Sequence, residues 1–112
     1  MNIKKTEKQT LGIKISVEEN GVELGRAWLY LVYNDLHAEP YGLLEDVFVD
    51  ETMRGQGVGN ELLKNAIAEA RERGCYKLIG TSRKSRENVH AWYKKLGFED
   101  YGLEFRMDLL KM

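Results

Sequence analysis

The segment Leu44-Glu45-Asp46-Val47-Phe48-Val49, followed by Asp50-Glu51-Thr52-Met53 and then by Arg54-Gly55-Gln56-Gly57-Val58-Gly59, joins a strand to a helix through a glycine-rich turn. The strand, from about Leu43 to Val49, is rich in residues that fit a pleated, half-buried surface. After the turn, Val58, Leu62, Leu63, Ala66, Ile67 and Ala70 recur at helical spacing and form one apolar stripe. Arg71 and Arg73 suit the negative end of that helix, and Gly74 suits its stop. Between strand and helix, glycines at alternate positions leave several main-chain N–H groups unshielded by side chains, at the positive end of a helix dipole. Such a turn binds phosphate.

Upstream of this junction, Ile13, Ile15 and Val17 alternate with period two, and Asn20-Gly21 is the dipeptide of a type I′ turn. A hairpin with second arm Val22 to Val32 follows. Trp28, Tyr30 and Val32 alternate there with Ala27, Leu29 and Leu31, which predicts a strand covered on both faces. Residues 34–42, with the only proline, Pro40, form a connecting loop. Downstream, Tyr76 to Gly80 reads as a short buried strand. A second helix is expected over Glu87 to Leu96, with Ser85 as N-cap, Val89, Trp92, Tyr93 and Leu96 on one face, and Gly97 at the C′ position. Phe98 to Leu110 returns as extended structure. Antiparallel strands followed by a strand–helix–strand crossover imply a mixed α/β (α+β) sheet, mainly antiparallel, with helices packed on it.

Composition bounds the chemistry. The 112 residues carry 17 Lys and Arg against 18 Asp and Glu, with one Cys and one Pro, which fits a single folded domain over residues 1–112. No apolar run approaches the roughly 20 residues that cross a bilayer, so no membrane partner is expected. The lone Cys75 has no internal partner, no Cys/His cluster has metal spacing, and no secretory leader opens the chain; a cytoplasmic protein without metal is expected. Residues 1–53 hold 5 basic and 10 acidic side chains, and residues 54–112 hold 12 and 8. Without a dense basic stripe, nucleic acid is not the expected partner.

Which phosphate ligand the turn serves follows partly by elimination. A nucleotide-hydrolysing P-loop needs Gly-Lys-Ser/Thr, whereas Gly59 precedes Asn60-Glu61. A dinucleotide fingerprint needs a third glycine three residues after the second, but that position is Asn60, and the next strand ends in Thr81-Ser82 rather than an acidic residue. What remains is Arg-x-x-Gly-x-Gly over residues 54–59. Together with the strand Leu44 to Val49 and the segment Asn88-Val89-His90-Ala91-Trp92-Tyr93-Lys94-Lys95-Leu96-Gly97-Phe98, it resembles the GNAT superfamily of acetyl-CoA-dependent N-acetyltransferases, over residues of about 12–110.

The resemblance implies a sheet splayed at its centre and a cofactor, acetyl-CoA, whose pyrophosphate sits on the N–H groups of Arg54, Gly55, Gln56, Gly57, Val58 and Gly59. It implies that the backbone of Val47, Phe48 and Val49 pairs with the pantetheine arm as with an added strand. Asn88 would touch the same arm. Transfer to a primary amine requires deprotonation of the nucleophile and protonation of the departing thiolate. An unperturbed phenol titrates near about 10 and a thiol near about 8.5, so Tyr93, in Tyr-x-x-Leu-Gly-Phe, suits the general acid. Glu45 is the expected base, acting through water. Neighbouring strand residues face opposite ways, so Glu45 shares a face with Val47 and Val49 and excludes Asp46, the fallback.

Bland alternatives accompany these assignments. Tyr93 sits on an apolar stripe and suits a core aromatic; Glu45 and Asp46 suit an edge carboxylate and an ion-pair partner; Asn88 suits a first-turn helix residue. His90 suits a surface or cap residue, Cys75 an inert thiol, and Arg83, Lys84 and Arg86 a solvated loop. Members of the family usually begin with a strand and two helices that cover the acceptor, and about ten residues precede the hairpin here. An open acceptor side is therefore expected, serving a small-molecule, peptide or protein amine, with a homodimer as one way to complete it. The other function class is a non-catalytic module that binds acetyl-CoA or CoA.

Overall fold

The computed structural model describes residues 1–111. These form two compact units, Met1–Gly80 and a second that begins at Thr81. The first unit contains β1 (Leu11–Glu19), β2 (Val22–Val32), β3 (Tyr41–Val49), a one-turn 3-10 segment (Glu51–Met53), α1 (Val58–Glu72) and β4 (Leu78–Gly80). The second contains α2 (Glu87–Lys95).

Sheet order is β1-β2-β3-β4, antiparallel except for the parallel pair β3 and β4. The hairpin forms as its turn dipeptide requires: Asn20 and Gly21 have φ of 51° and 77°, both in the region a type I′ turn demands. Ala27, Leu29 and Leu31 of β2 and Leu44 of β3 are buried together with Val58, Leu62, Leu63, Ala66 and Ala70 of α1. Each fully buried leucine contributes about 1.5–3 kcal/mol relative to exposure. Gly25 permits a close approach: a Cβ there would lie 2.9 Å from Val58 Cγ1 and 3.0 Å from both Leu62 Cδ1 and the Phe48 carbonyl oxygen.

Only one face of β2 is fully buried, contrary to the two-sided cover its composition suggests. Arg26, Trp28, Tyr30 and Val32 are half-buried. Their face carries a stacked Trp28–Tyr30 pair, with centroids 5.9 Å apart, and the ion-paired side chains Lys14, Glu23 and Arg26. Charge on this face keeps it in contact with water. β4 is shorter and less buried than the run Tyr76 to Gly80 implies: only Leu78–Gly80 joins the sheet, while the residues before it are tied to the start of β3 by the Tyr76 N–H on the Pro40 carbonyl and the Gly42 N–H on the Lys77 carbonyl.

β3 departs from simple alternation. Trp28 pairs with Glu45 and Arg26 with Phe48, so Ala27 alone opposes Asp46 and Val47. That is a β-bulge, and Asp46 stands in it with a left-handed φ of 50°. The extra residue resets the phase of the strand. Glu45 lies on the face of Trp28, Val49 lies on the face of Gly25 with Val47, and Glu45 therefore does not share a face with Val47 and Val49. Asp46 bonds to Arg26, on the same side as Glu45, so the two carboxylates are not divided between faces as unbroken alternation requires.

In the second unit α2 starts at Glu87 as expected, but Arg86 rather than Ser85 holds the N-cap position and no side chain caps the helix. The Arg86 N–H donates to the Arg83 carbonyl, which closes a backbone turn just ahead of the helix. Phe98 to Leu110 contains no strand. Leu103, Phe105, Met107 and Leu109 keep the period-two pattern yet are between 68% and 88% exposed. Among the described residues no ladder partner lies beside this segment, and an apolar alternation becomes a strand only where a neighbour supplies hydrogen bonds. No helix among the described residues is long and apolar enough to cross a membrane.

Candidate active site

The site in the first unit begins where β3 outruns β4. Their parallel ladder covers Gly42↔Leu78, Leu43↔Ile79 and Leu44↔Gly80 and stops there. From Glu45 to Val49, β3 has β2 on one side only, so the other edge of its backbone offers unpaired main-chain groups. Val47, Phe48 and Val49, expected to contact an extended ligand, all lie on this free stretch. Val47 and Val49 are half-buried and Phe48 is exposed.

The chain then turns. Asp50 accepts from the Thr52 N–H at 3.0 Å and from the Thr52 hydroxyl at 2.6 Å, starting the 3-10 turn. The same hydroxyl, then the N–H and the nearby Arg54 charge, hold the Asp50 carboxyl below the usual carboxylate range. Arg54 N–H donates to the Glu51 carbonyl and Gln56 N–H to that of Met53, at 3.4 and 3.3 Å. Two of the six N–H groups assigned to the phosphate cradle are thus used within the turn. The N–H groups of Gly55, Gly57, Val58 and Gly59 find no acceptor among the described residues. Gly57 caps α1 with φ 81°, a left-handed value that a Cβ disfavours, and a Cβ built there would meet nothing within 4 Å. Unpaired donors at the positive end of a 15-residue helix, with the basic residue Arg54 in the same turn, favour an anion.

Glu45 and Asp46 differ in chemistry. Arg26 grips Asp46 with two bonds, Nε to Oδ2 at 2.8 Å and Nη2 to Oδ1 at 3.2 Å. That hydrogen-bonded guanidinium holds the Asp46 carboxyl below its ordinary range, which makes it a poor proton acceptor. Glu45 is exposed and forms no ion pair among the described residues. Sequence reasoning missed Arg26 as a site residue. The available signal was the apolar spacing in β3, where Leu44 and Val47 are three apart instead of two.

In the second unit, Asn88 lies in the first turn of α2 and Tyr93 in its last. The helix ends in a Schellman motif: Phe98 N–H donates to the Tyr93 carbonyl, Gly97 N–H to that of Lys94, and Gly97 has φ 105°. The motif's usual hydrophobic contact is here the Tyr93 ring against Phe98, with centroids 5.2 Å apart. The sequence Tyr-x-x-Leu-Gly-Phe thus fixes one phenol at a helix end. His90 turns back to the Arg83 carbonyl, with Nε2 at 2.8 Å. Burial pushes the Cys75 thiol up, away from the thiolate a nucleophile requires. Among the described residues no group of His, Cys, Asp and Glu is placed to hold a metal ion.

Comparison with known proteins gives a consistent picture. Residues 3–98 match the model of the acetyltransferase (GNAT) family. Glucosamine 6-phosphate N-acetyltransferase of Trypanosoma brucei brucei is 40% identical over 68 residues, covering 61% of this chain and 44% of that protein. An aminoglycoside N(6')-acetyltransferase type 1 of Stenotrophomonas maltophilia is 36% identical over 78 residues, covering 68% of this chain and 51% of its own length. The chain therefore spans about half the length of these curated relatives or less. Among solved structures, a Trypanosoma brucei acetyltransferase superposes with a TM-score of 0.77 at 30% identity, over 89% of this chain and 69% of that one.

Proposed function

The chain belongs to the GNAT acetyltransferase family, and from that premise we propose that it moves an acetyl group from acetyl-CoA to a primary amine, with an aminosugar as the acceptor class. The observation that carries the proposal is a continuous strip of unpaired main chain. It runs along the free edge of β3 from Glu45 to Val49 and into the four donors of Gly55, Gly57, Val58 and Gly59. An extended ligand with amides at one end and a diphosphate at the other matches that order of groups.

Acetyl-CoA supplies the acyl group as a thioester. In this scheme Val47, Phe48 and Val49 hold the amide-bearing arm through their backbone. Arg54 and Gln56 shape the turn, the Arg54 guanidinium adds charge, and Asn88 contacts the arm. Glu45 accepts the proton of the incoming amine through water, and the Tyr93 phenol donates a proton to the departing sulfur. The acceptor class follows the named substrates of relatives, a phosphorylated aminosugar and aminoglycosides. Glu45, the carboxylate that Arg26 leaves unpaired, lies across from Trp28 in the Trp28–Tyr30 stack and gives a cationic sugar amine both charge and an aromatic surface.

Thiol release from acetyl-CoA, measured across glucosamine 6-phosphate, aminoglycosides, polyamines, amino acids and peptide amines, tests the proposal. Release is expected with aminosugars in proportion to acetylated product. Tyr93→Phe keeps the ring contact with Phe98 and should leave CoA affinity unchanged while turnover falls about 10²–10⁴-fold. CoA binding without release for any amine would instead favour a non-catalytic module.

A further inference from the structure

Asp46 adopts a left-handed backbone conformation in the middle of a strand, where residues with a Cβ are rarely found. Such a conformation persists when surrounding contacts over-determine it. Here the Asp46 carboxylate is held by one side chain on the neighbouring strand. Arg26 holds both Asp46 oxygens, lies over the Phe48 ring at 4.7 Å, and is itself anchored by Glu23 at 3.3 Å. Lys14 in turn pairs with Glu23. A chain of charges across β1, β2 and β3 thus ends on the bulged residue. The groups around it are those named: Lys14, Glu23 and Arg26 from the adjoining strands, with Phe48 and Glu45 on β3 itself.

We propose that Arg26 is a positioning residue for the transfer site: its two-pronged grip on Asp46 sets the bulge in β3 and so presents the free edge of Glu45–Val49 to the extended arm of the ligand. The inference rests on the proposed acetyl-CoA function and deepens it. Geometry supports the coupling, because the β3–β4 ladder stops at Leu44 and the bulge, at Asp46 and Val47, lies within the free stretch that begins one residue later. A bulge bends its strand and increases local twist, and a bend at this point carries β3 out of register with β4. The same bulge turns Asp46 to the face of Glu45, where the guanidinium occupies one carboxylate and leaves the other to act. Lysine cannot replace the guanidinium, since one ammonium does not span two carboxylate oxygens in a fixed fork.

The test uses three variants and two readouts, the HN–Hα coupling of Asp46 by NMR and CoA affinity by calorimetry. In the unaltered protein the Asp46 coupling should have its left-handed value. Arg26→Ala should move that coupling toward the extended value and weaken CoA binding at least tenfold, and Arg26→Lys should do the same to a smaller degree. Arg26→Ala combined with Asp46→Gly should recover most of the affinity, because glycine takes the left-handed conformation without a clamp. A role in general stability alone gives no such recovery. Arg26→Ala with unchanged coupling or unchanged CoA affinity overturns the inference, as does failure of the double variant to recover binding. Failure of the acetyl-CoA reading looks different: the unaltered protein would bind no CoA while Arg26→Ala still shifted the Asp46 coupling.

Discussion

Gly57→Glu separates the phosphate cradle from every other role of the turn. A Cβ at residue 57 meets no atom within 4 Å, so the new side chain leaves the backbone into open space. Within the fold the cost is conformational: a residue with a Cβ at φ 81° loses about 1–2 kcal/mol. Toward an anion the cost is larger. Two like charges about 4 Å apart at an effective dielectric constant near 20 repel by about 4 kcal/mol, or about a thousandfold in affinity. Gly57→Ala carries the conformational cost without the charge and serves as the reference. Calorimetric titration with CoA should show Gly57→Ala within about tenfold of the unaltered protein and Gly57→Glu weaker by at least a further hundredfold. Raising the salt concentration should recover part of the second loss, because exposed charges are screened. If Gly57→Glu binds CoA as Gly57→Ala does, no diphosphate rests on these N–H groups.

Three other perturbations address different parts of the molecule. Gly25→Ala forces a methyl within 2.9–3.0 Å of Val58, Leu62 and the Phe48 carbonyl, and overpacking of this kind should lower stability by about 1–3 kcal/mol in urea unfolding. The Asp46 carboxyl lies below its unfolded value because Arg26 bonds to it, so its contribution is present above about pH 4 and is lost as pH falls through the lower folded value. Asp46→Asn should accordingly flatten the acid limb of stability against pH, and an unchanged limb would contradict the grip. Glu45→Gln should lower turnover about 10²-fold or more with CoA affinity intact, whereas full turnover would remove Glu45 from proton transfer.

Features written within a few neighbouring residues were readable from the sequence. Asn20-Gly21 with flanking alternation defines the hairpin, the stripe from Val58 to Ala70 defines α1, and Gly97 with Phe98 defines the end of α2. Features that depend on distant partners were not. The Asp46 bulge is held by a guanidinium 20 residues away, so neither the shared face of the two carboxylates nor the weakening of one as a base follows from Leu44 to Val49 alone. Ser85 satisfies a sequence rule for capping, but Arg86 holds the N-cap position, after a backbone turn closed on the Arg83 carbonyl. Leu103 to Leu109 carries a strand pattern without a strand, because periodicity specifies which face is apolar and supplies no partner. The turn at residues 54–59 lies between these cases: its glycines announce donors, and only the fold shows that two of the six are already engaged.

Each compact unit holds one of the chain's two tryptophans, Trp28 beside Glu45 in the first and Trp92 beside Tyr93 in the second. The molecule therefore carries a native pair of fluorophores, each adjoining one of the two groups assigned to proton transfer. Replacing either indole by phenylalanine leaves indole emission from a single unit, through which unfolding and ligand quenching can be followed in each unit without an added dye.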